Sequence, residues 1–377
     1  MKILILLCLI SSSAAFSQSS EELMRMASAD LKAKDYCSAS ANFKKAFEEK
    51  TEAGIYEYTS AALAAAHCND LQRAVGWLKK SYDLGFGKSR EEINLLKTDP
   101  GFKALSQNNE FQSLLAGMED RLARKEEFKK KEAELWNKDI ISNQIKEKTP
   151  FNEAHPGFAL YFTDVNGLKV PYIVFVPKGY KVSKQTKAIV YLHGGVNSLS
   201  DFYYRNADVK TEPIFSVGEN FNSIVIYPFA KKDFGWVDQK MAFENIFTII
   251  QDVEKKYNID KTRIYLGGMS NGGTAAFWFA SQQETPFRAF YAFAPNPVLN
   301  IGEIRFENIT KEHPLYSISS KDDLVFSYDT VLSIYNKNKI KAKGWKFQTI
   351  ETGTHGFIYN PEINKELLSR FFSEVLK

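Results

Sequence analysis

Apolar residues follow two different patterns along the chain. Between residues 20 and 120 they recur at the three- and four-residue spacing of amphipathic helices, and proline is nearly absent. From residue 155 onward, short runs rich in β-branched and aromatic residues alternate with longer helical runs. Strands that alternate with helices predict a largely parallel sheet covered on both faces. We therefore expect an all-α region followed by an α/β region.

The α/β region contains runs that predict individual strands and helices. The predicted strands cover residues 158–162, 172–176, 188–192, 223–227, 263–266, 289–293, 315–319 and 345–350. The predicted helices include residues 241–257, 272–281, 327–335 and 361–376. The first two strands have the pattern of an antiparallel pair, so the sheet is expected to be mixed.

The helical region contains a pair of similar segments, offset by 35 residues. The matched positions are Asp35 and Asp70, Ala39 and Ala74, Phe43 and Leu78, Ala46 and Ser81, and Phe47 and Tyr82. Their spacing of small and large residues resembles the second helix of a tetratricopeptide repeat. Ala27 and Ala62 lie where that family has a small residue in its first helix, whereas the family's terminal proline is absent. The resemblance implies paired helices that either bind a protein partner or only pack on their neighbours.

The start of the chain has the layout of a secretory signal peptide. Lys2 precedes an apolar run at 3–10, and small residues follow up to Ser17. An apolar run of this length cannot cross a hydrocarbon core, which requires roughly 20 residues. We expect a secreted or periplasmic protein without a membrane span.

These patterns predict the domain boundaries. Residues 1–17 are expected to form the signal peptide and 18–120 the tetratricopeptide-like helical domain. Residues 121–150, rich in lysine and glutamate, are expected to form a charged helical linker, and 151–377 the α/β domain.

Composition and charge narrow the function further. The chain has 377 residues, of which 44% are hydrophobic and 25% charged, as in ordinary globular proteins. A net charge of +4 is too small to indicate binding to nucleic acid. Removal of the signal peptide leaves Cys37 and Cys68 in a compartment that permits disulfides. The sequence leaves open whether they form a disulfide or stay as buried thiols.

A short motif predicts a catalytic serine. Residues 268–272 read Gly-Met-Ser-Asn-Gly directly after the predicted strand 263–266, and a helix-compatible run follows. This is the strand–turn–helix context of a nucleophile elbow, in which small neighbours relieve clashes around a sharp turn. Ser270 is therefore the predicted nucleophile.

A serine hydroxyl requires a base and an acid that orients the base. His355 lies in a glycine-bounded loop after the last predicted strand, and Asp322 and Asp323 follow the strand before it. We predict that His355 is the base. Asp322 is the preferred acid because Val325 follows it at a recurring hydrolase spacing. Asp323 is then interpreted as a carboxylate at a helix N-terminus and remains the alternative acid.

The developing charge on a carbonyl oxygen requires fixed donors, which backbone N–H groups supply. The N–H groups of Asn271 and Gly195 are the predicted pair, with Val196 as the next candidate. His193, at the start of the His-Gly-Gly turn, is expected to brace this loop rather than to act as a base. Trp236 and Phe357 flank loops near the site and are predicted substrate contacts, with ordinary packing as the alternative.

With these motifs in place, residues 155–377 resemble an α/β-hydrolase. The nearest motif style is that of the esterase group that includes feruloyl-esterase-like and polyhydroxybutyrate-depolymerase-like enzymes. The resemblance implies serine-dependent hydrolysis of a small-molecule or polymer-borne ester, with no metal and no cofactor. The alternatives are a serine peptidase similar to prolyl oligopeptidase, or an inactive scaffold that binds a protein partner through the helical domain.

Overall fold

A computed structural model describes residues 19–49, 53–145 and 155–377. The predicted signal peptide, residues 1–17, lies outside the described residues, as do residues 146–150 of the predicted linker. The chain divides into two compact units between Lys130 and Lys131, inside the predicted linker. We call them the helical unit and the sheet unit.

Helices alone make up the described part of the helical unit. They are α1 (Ser20–Lys32), α2 (Tyr36–Glu49), α3 (Ile55–His67), α4 (Leu71–Asp83), α5 (Arg90–Thr98), α6 (Pro100–Lys103) and the first part of α7 (Asn109–Ser142). The α1–α2 and α3–α4 pairs are the two similar segments. The turns that connect the two helices of each pair have the same backbone conformation. Lys34 in the first turn and Asn69 in the second are both left-handed, with φ of 62° and 63°.

The repeat extends one step further than the sequence comparison found. Ser19, Gly54 and Ser89 are the N-cap residues of α1, α3 and α5, and successive caps lie 35 residues apart. The small residues Ala27 and Ala62 are completely buried, as expected where two helices approach closely. A third, divergent segment therefore begins at the same period.

The two remaining cysteines form a disulfide. Cys37 in α2 is bonded to Cys68, the C-cap residue of α3, and their Cα atoms are 5.0 Å apart. This bond joins the second helix of one repeat to the first helix of the next. It resolves the choice that the sequence left open between a disulfide and buried thiols.

Within residues 155–377, the sheet unit contains one eight-stranded sheet. Its strands are β1 (Gly157–Val165), β2 (Leu168–Val176), β3 (Thr186–Leu192), β4 (Ile224–Pro228), β5 (Ile259–Met269), β6 (Ala289–Phe293), β7 (Leu315–Ser320) and β8 (Trp345–Ile350). The spatial order is β1-β2-β4-β3-β5-β6-β7-β8. β1, β2 and β4 pair antiparallel, and the pairs from β4 through β8 are parallel. This is a mixed sheet of the α/β-hydrolase fold, as predicted.

Helices cover both faces of the sheet. They are α8 (Pro213–Asn220), α9 (Lys240–Lys256), α10 (Asn271–Ala280), α11 (Tyr328–Asn338) and α12 (Pro361–Val375). The apolar core on one face includes Phe243 of α9 and Phe277 of α10. The core on the other face includes Phe215 of α8 and Phe372 of α12. Because β3, β5, β7 and β8 run parallel, their carboxyl ends meet at one edge, where ligand sites of such sheets form.

In residues 19–49, 53–145 and 155–377, no helix is both long enough and apolar enough to cross a bilayer.

Candidate active site

Ser270 occupies a sharp turn between β5 and α10. Its φ of 54° and ψ of −115° are unfavourable for a residue with a side chain. Its backbone N–H donates to the Phe293 carbonyl at 2.9 Å, which fixes the turn against β6. A Cβ atom at Gly268 or Gly272 would lie 2.0 Å or 1.8 Å from the Leu192 carbonyl oxygen. The two glycines are therefore required by the close approach of β3, which is the physical basis of the motif.

His355 connects the serine to a carboxylate. Its Nε2 lies 2.9 Å from Ser270 Oγ, and its Nδ1 lies 2.8 Å from Asp323 Oδ2. The carboxylate of Asp323 is buried, whereas the imidazole is partly accessible. A buried carboxylate at Nδ1 keeps the proton on that nitrogen and leaves Nε2 free to accept one from the serine.

The structure places Asp322 elsewhere, so the prediction that Asp322 pairs with His355 is wrong. Its carboxylate accepts hydrogen bonds from the Gly353 N–H at 3.1 Å and the Thr354 N–H at 2.8 Å, and from the Ser320 hydroxyl. The Ser320 hydroxyl, followed by these two N–H groups, lowers the pKa of Asp322. Asp322 thus holds the loop that precedes His355 instead of the imidazole itself.

Asp323 also organises the loop that follows it. Its second oxygen, Oδ1, accepts from the N–H groups of Val325 at 2.8 Å and Phe326 at 2.9 Å. The sequence interpretation preferred this kind of backbone-capping role for Asp323 and kept it as the alternative acid, whereas α11 begins later, at Tyr328. The Asp323 carboxylate therefore fixes both a turn and the imidazole. The sequence analysis had treated these two roles as alternatives.

The predicted oxyanion donors lie on either side of Ser270. A Cβ atom at Gly194 would lie 2.9 Å from the Ser270 Cβ, so the His-Gly-Gly turn closely approaches the serine. Asn271 is the first residue of α10, and its N–H has no acceptor within the helix. The Val196 N–H donates to Asn271 Oδ1 at 3.1 Å and is thereby occupied. Gly195 and Asn271 remain the predicted oxyanion donors.

His193 braces the His-Gly-Gly turn, as predicted. Its Nδ1–H donates to the Gly194 carbonyl at 2.7 Å, and its Nε2 accepts from the Ala230 N–H at 3.0 Å. Burial lowers the pKa of His193 to about 4. The ring is therefore neutral near pH 7, in the tautomer that satisfies both bonds.

The two predicted substrate contacts are both buried, but only one of them borders a cleft at the site. Phe357 is fully buried and packs edge-on against Phe293, so the prediction that it contacts substrate is wrong. Trp236 donates its indole N–H to the His193 carbonyl at 3.0 Å. It also borders a cleft of about 150 Å³ beside Asn271, and its contact with substrate remains a prediction.

One neighbour of the site was missed by sequence reasoning. Phe326 packs edge-on against His355, with ring centroids 5.1 Å apart, and lines the same cleft. Its position in the loop after the acid was the only sequence signal available for this residue.

The arrangement supports nucleophilic attack by a serine hydroxyl. A hydrogen-bonded chain runs from the Asp323 carboxylate through His355 to the Ser270 hydroxyl. In the described part of the chain, no group of three or more histidine, cysteine, aspartate or glutamate residues could hold a metal ion.

Comparisons with known proteins give only distant similarities. No family model matches the chain, and no curated protein matches it. Among solved structures, a thermostable esterase shares 22% identity over 58% of this chain and 63% of its own, with a TM-score of 0.46. An acylaminoacyl peptidase from Pyrococcus horikoshii shares 16% over 62% of this chain and 44% of its own, with a TM-score of 0.46. A ferulic acid esterase shares 18% over 59% of this chain and 98% of its own, with a TM-score of 0.45.

The chain spans less than two thirds of the length of the thermostable esterase and of the peptidase. Because the TM-scores are low, these similarities carry no argument about activity.

Proposed function

We propose that the protein is a serine hydrolase that cleaves carboxylic esters through an acyl-enzyme. The observation that carries the proposal is the continuous set of hydrogen bonds from Asp323 to His355 to Ser270. The strained backbone of Ser270 supports it, since such strain is retained where surrounding structure enforces it and is concentrated at functional sites.

In this mechanism, His355 Nε2 takes the hydroxyl proton as Ser270 Oγ attacks the ester carbonyl carbon. The ionised Asp323 stabilises the imidazolium that forms. The bond between the carbonyl carbon and the alkoxy oxygen then breaks, and the alcohol leaves with the proton from His355. A water molecule, deprotonated by the same nitrogen, attacks the acyl-enzyme and releases the acid, which restores Ser270.

The N–H groups of Asn271 and Gly195 are the proposed donors to the oxyanion. The free helix N-terminus at Asn271 favours negative charge in addition to its hydrogen bond. Gly195 has a φ of 69°, a left-handed conformation that glycine adopts without strain. The Asn271 side chain joins the two donor segments by accepting from the Val196 N–H, and His193 braces the His-Gly-Gly turn. These bonds fix the donors before substrate arrives.

We also propose that the protein is exported and that its helical unit is tetratricopeptide-like. Export is supported by the apolar run at 3–10 and by the Cys37–Cys68 disulfide, since such bonds persist in oxidising compartments. The 35-residue period of the helix starts supports the second proposal. A protein partner for this unit would be detected by affinity capture with residues 18–130 as bait.

The first test is hydrolysis of p-nitrophenyl acetate by residues 18–377 and by the Ser270→Ala variant. We expect turnover and labelling by a fluorophosphonate probe in the parent chain, and loss of both in the variant with unchanged circular dichroism. A matched N-acetylated peptide p-nitroanilide decides between an esterase and a peptidase. A folded parent chain that neither turns over nor is labelled would contradict the proposal and favour the scaffold.

A further inference from the structure

Two strongly exposed apolar side chains follow the acid of the site. Leu324 is 97% exposed and Val325 is 62% exposed, directly after Asp323. Single apolar residues on a surface are common, but adjacent ones beside a reactive group indicate a binding surface. The loop has a third apolar member, Phe326, which is partly buried.

The hydrogen bonds of Asp323 hold this loop in place. Its Oδ1 accepts from the N–H groups of both Val325 and Phe326, and its own N–H donates to the Ser320 carbonyl. The backbone on both sides of Leu324 is therefore tied to a buried carboxylate. The same carboxylate that positions His355 therefore fixes the backbone from which Leu324 and Val325 project.

Phe326 connects these exposed residues to the reactive centre. Its ring packs edge-on against His355 and lines the cleft that reaches Asn271, next to the nucleophile. Val298, 58% exposed, lines the same cleft. The cleft volume of about 150 Å³ is close to that of a cavity that binds one benzene molecule. A longer substrate group must therefore extend beyond the cleft.

We propose that Val298, Leu324 and Val325 form an apolar lip that binds the part of an ester substrate that extends beyond this cleft. The inference depends on the proposed function and assigns a substrate class to it. That class is esters with an apolar group, either a chain or a ring system, that is larger than a single six-membered ring. The substrate is the expected occupant because Val298 and Phe326 line the cleft beside Asn271. Leu324 and Val325 directly precede Phe326 in the chain. A protein bound at the lip would obstruct that cleft.

The test compares how the length of the substrate's acyl chain affects activity in two variants, each of which loses exposed apolar side chains. We would measure kcat/KM for p-nitrophenyl octanoate and acetate, both fully dissolved, with the Leu324→Ser, Val325→Ser double variant and with Ile340→Ser. Ile340 is 81% exposed and lies between α11 and β8, at the opposite edge of the parallel sheet. It is thus a matched control for the loss of exposed apolar surface.

We expect the octanoate-to-acetate ratio of kcat/KM to fall about tenfold in the double variant, because contacts to about two methylene groups are lost. The ratio should be unchanged in Ile340→Ser. A second series, octyl and ethyl acetate followed by acid release, shows whether the lip binds the acyl or the alcohol part. An unchanged ratio in both series would contradict the proposed lip. If acetate were still hydrolysed in that case, the proposed esterase function would stand. Absence of acetate turnover in the folded parent chain would overturn both.

Discussion

The helical unit and the sheet unit are stabilised by contacts of very different range along the chain. In the helical unit, Asp35 and Asp70 cap helices by accepting from the N–H groups of residues three positions later. Its disulfide joins cysteines separated by 31 positions. In the sheet unit, Ser270 and His355 are separated by 85 positions but share a hydrogen bond.

Because of this difference, we expect the two units to respond differently to substitution. The helical unit repeats one helix pair, so equivalent positions in its two copies have the same structural role. The sheet unit brings together the carboxyl ends of separate strands, and each residue of the site performs a task that no other residue duplicates. Substitutions should therefore cause graded losses of stability in the first unit and near-complete losses of activity in the second.

The largest expected effect is that of Asp323→Asn. An amide at this position cannot stabilise the imidazolium or hold its tautomer, so kcat for p-nitrophenyl acetate should fall about 10⁴-fold. Asp322→Asn is the matched control, and its kcat should fall by less than about tenfold, since the amide oxygen still accepts from the His355 loop. A greater loss in Asp322→Asn than in Asp323→Asn would refute the geometric assignment of the acid.

Removal of the disulfide should affect the helical unit alone. The Cys37→Ser, Cys68→Ser variant should lose about 3–4 kcal/mol of unfolding free energy in that unit, because the bond closes a loop of about thirty residues. Urea denaturation followed by far-ultraviolet circular dichroism measures the loss, and acetate turnover by the same samples measures the site. Loss of turnover before unfolding would show that the helices contribute to the site.

Acid should destabilise the sheet unit through His193. The ring has a pKa of about 4 in the folded chain, against an ordinary value of 6.5. The unfolded chain therefore binds a proton first as the pH falls, and this stability, fully present above about pH 6.5, is lost towards pH 4. Between pH 7 and pH 4.5 the loss should be about 2.5 kcal/mol.

The matched variant for this experiment is His193→Gln, which keeps a donor and an acceptor but does not titrate. Urea denaturation at both pH values should show a smaller loss of unfolding free energy in the variant than in the parent chain. Other titrating groups, such as Asp322, contribute equally to both proteins and cancel. Equal losses in the two proteins would contradict the buried neutral state of His193.

The smallest effects should come from the repeated helix caps. Asp35→Ala and Asp70→Ala should each lower the unfolding free energy by about 1 kcal/mol, the usual contribution of such a cap. Asp70 also pairs with Arg73, a partly exposed contact that should add only a few tenths of a kcal/mol. Thermal denaturation measures both variants. A several-fold difference between them would indicate that the two copies are not equivalent.

Much of the sheet unit was predictable because its strands are short, apolar and bounded by polar residues. Each of the predicted strands overlaps a strand of the sheet, including the antiparallel pair β1 and β2. Helix α8 was not among the predicted helices; it is short and begins at Pro213. The nucleophile motif was also predictable, because Gly268 and Gly272 meet a steric requirement of the turn itself.

The wrong predictions concern residues whose side-chain direction depends on distant parts of the chain. Asp322 and Asp323 are adjacent after β7, and only the position of the His355 loop decides which carboxylate meets the imidazole. Phe357 follows His355 closely, but its ring turns into the core against Phe293. Local spacing could not indicate either orientation.

The sequence by itself determined the order of the two units, the strands and helices, the 35-residue repeat, the serine turn and the histidine of the site. These features follow from local periodicity, capping and steric requirements. Only the tertiary structure decided that Cys37 pairs with Cys68, that Asp323 meets His355, and that Leu324 is exposed. The physical reason is that pairing, orientation and exposure depend on which distant segments pack together, and a linear pattern does not specify their relative positions.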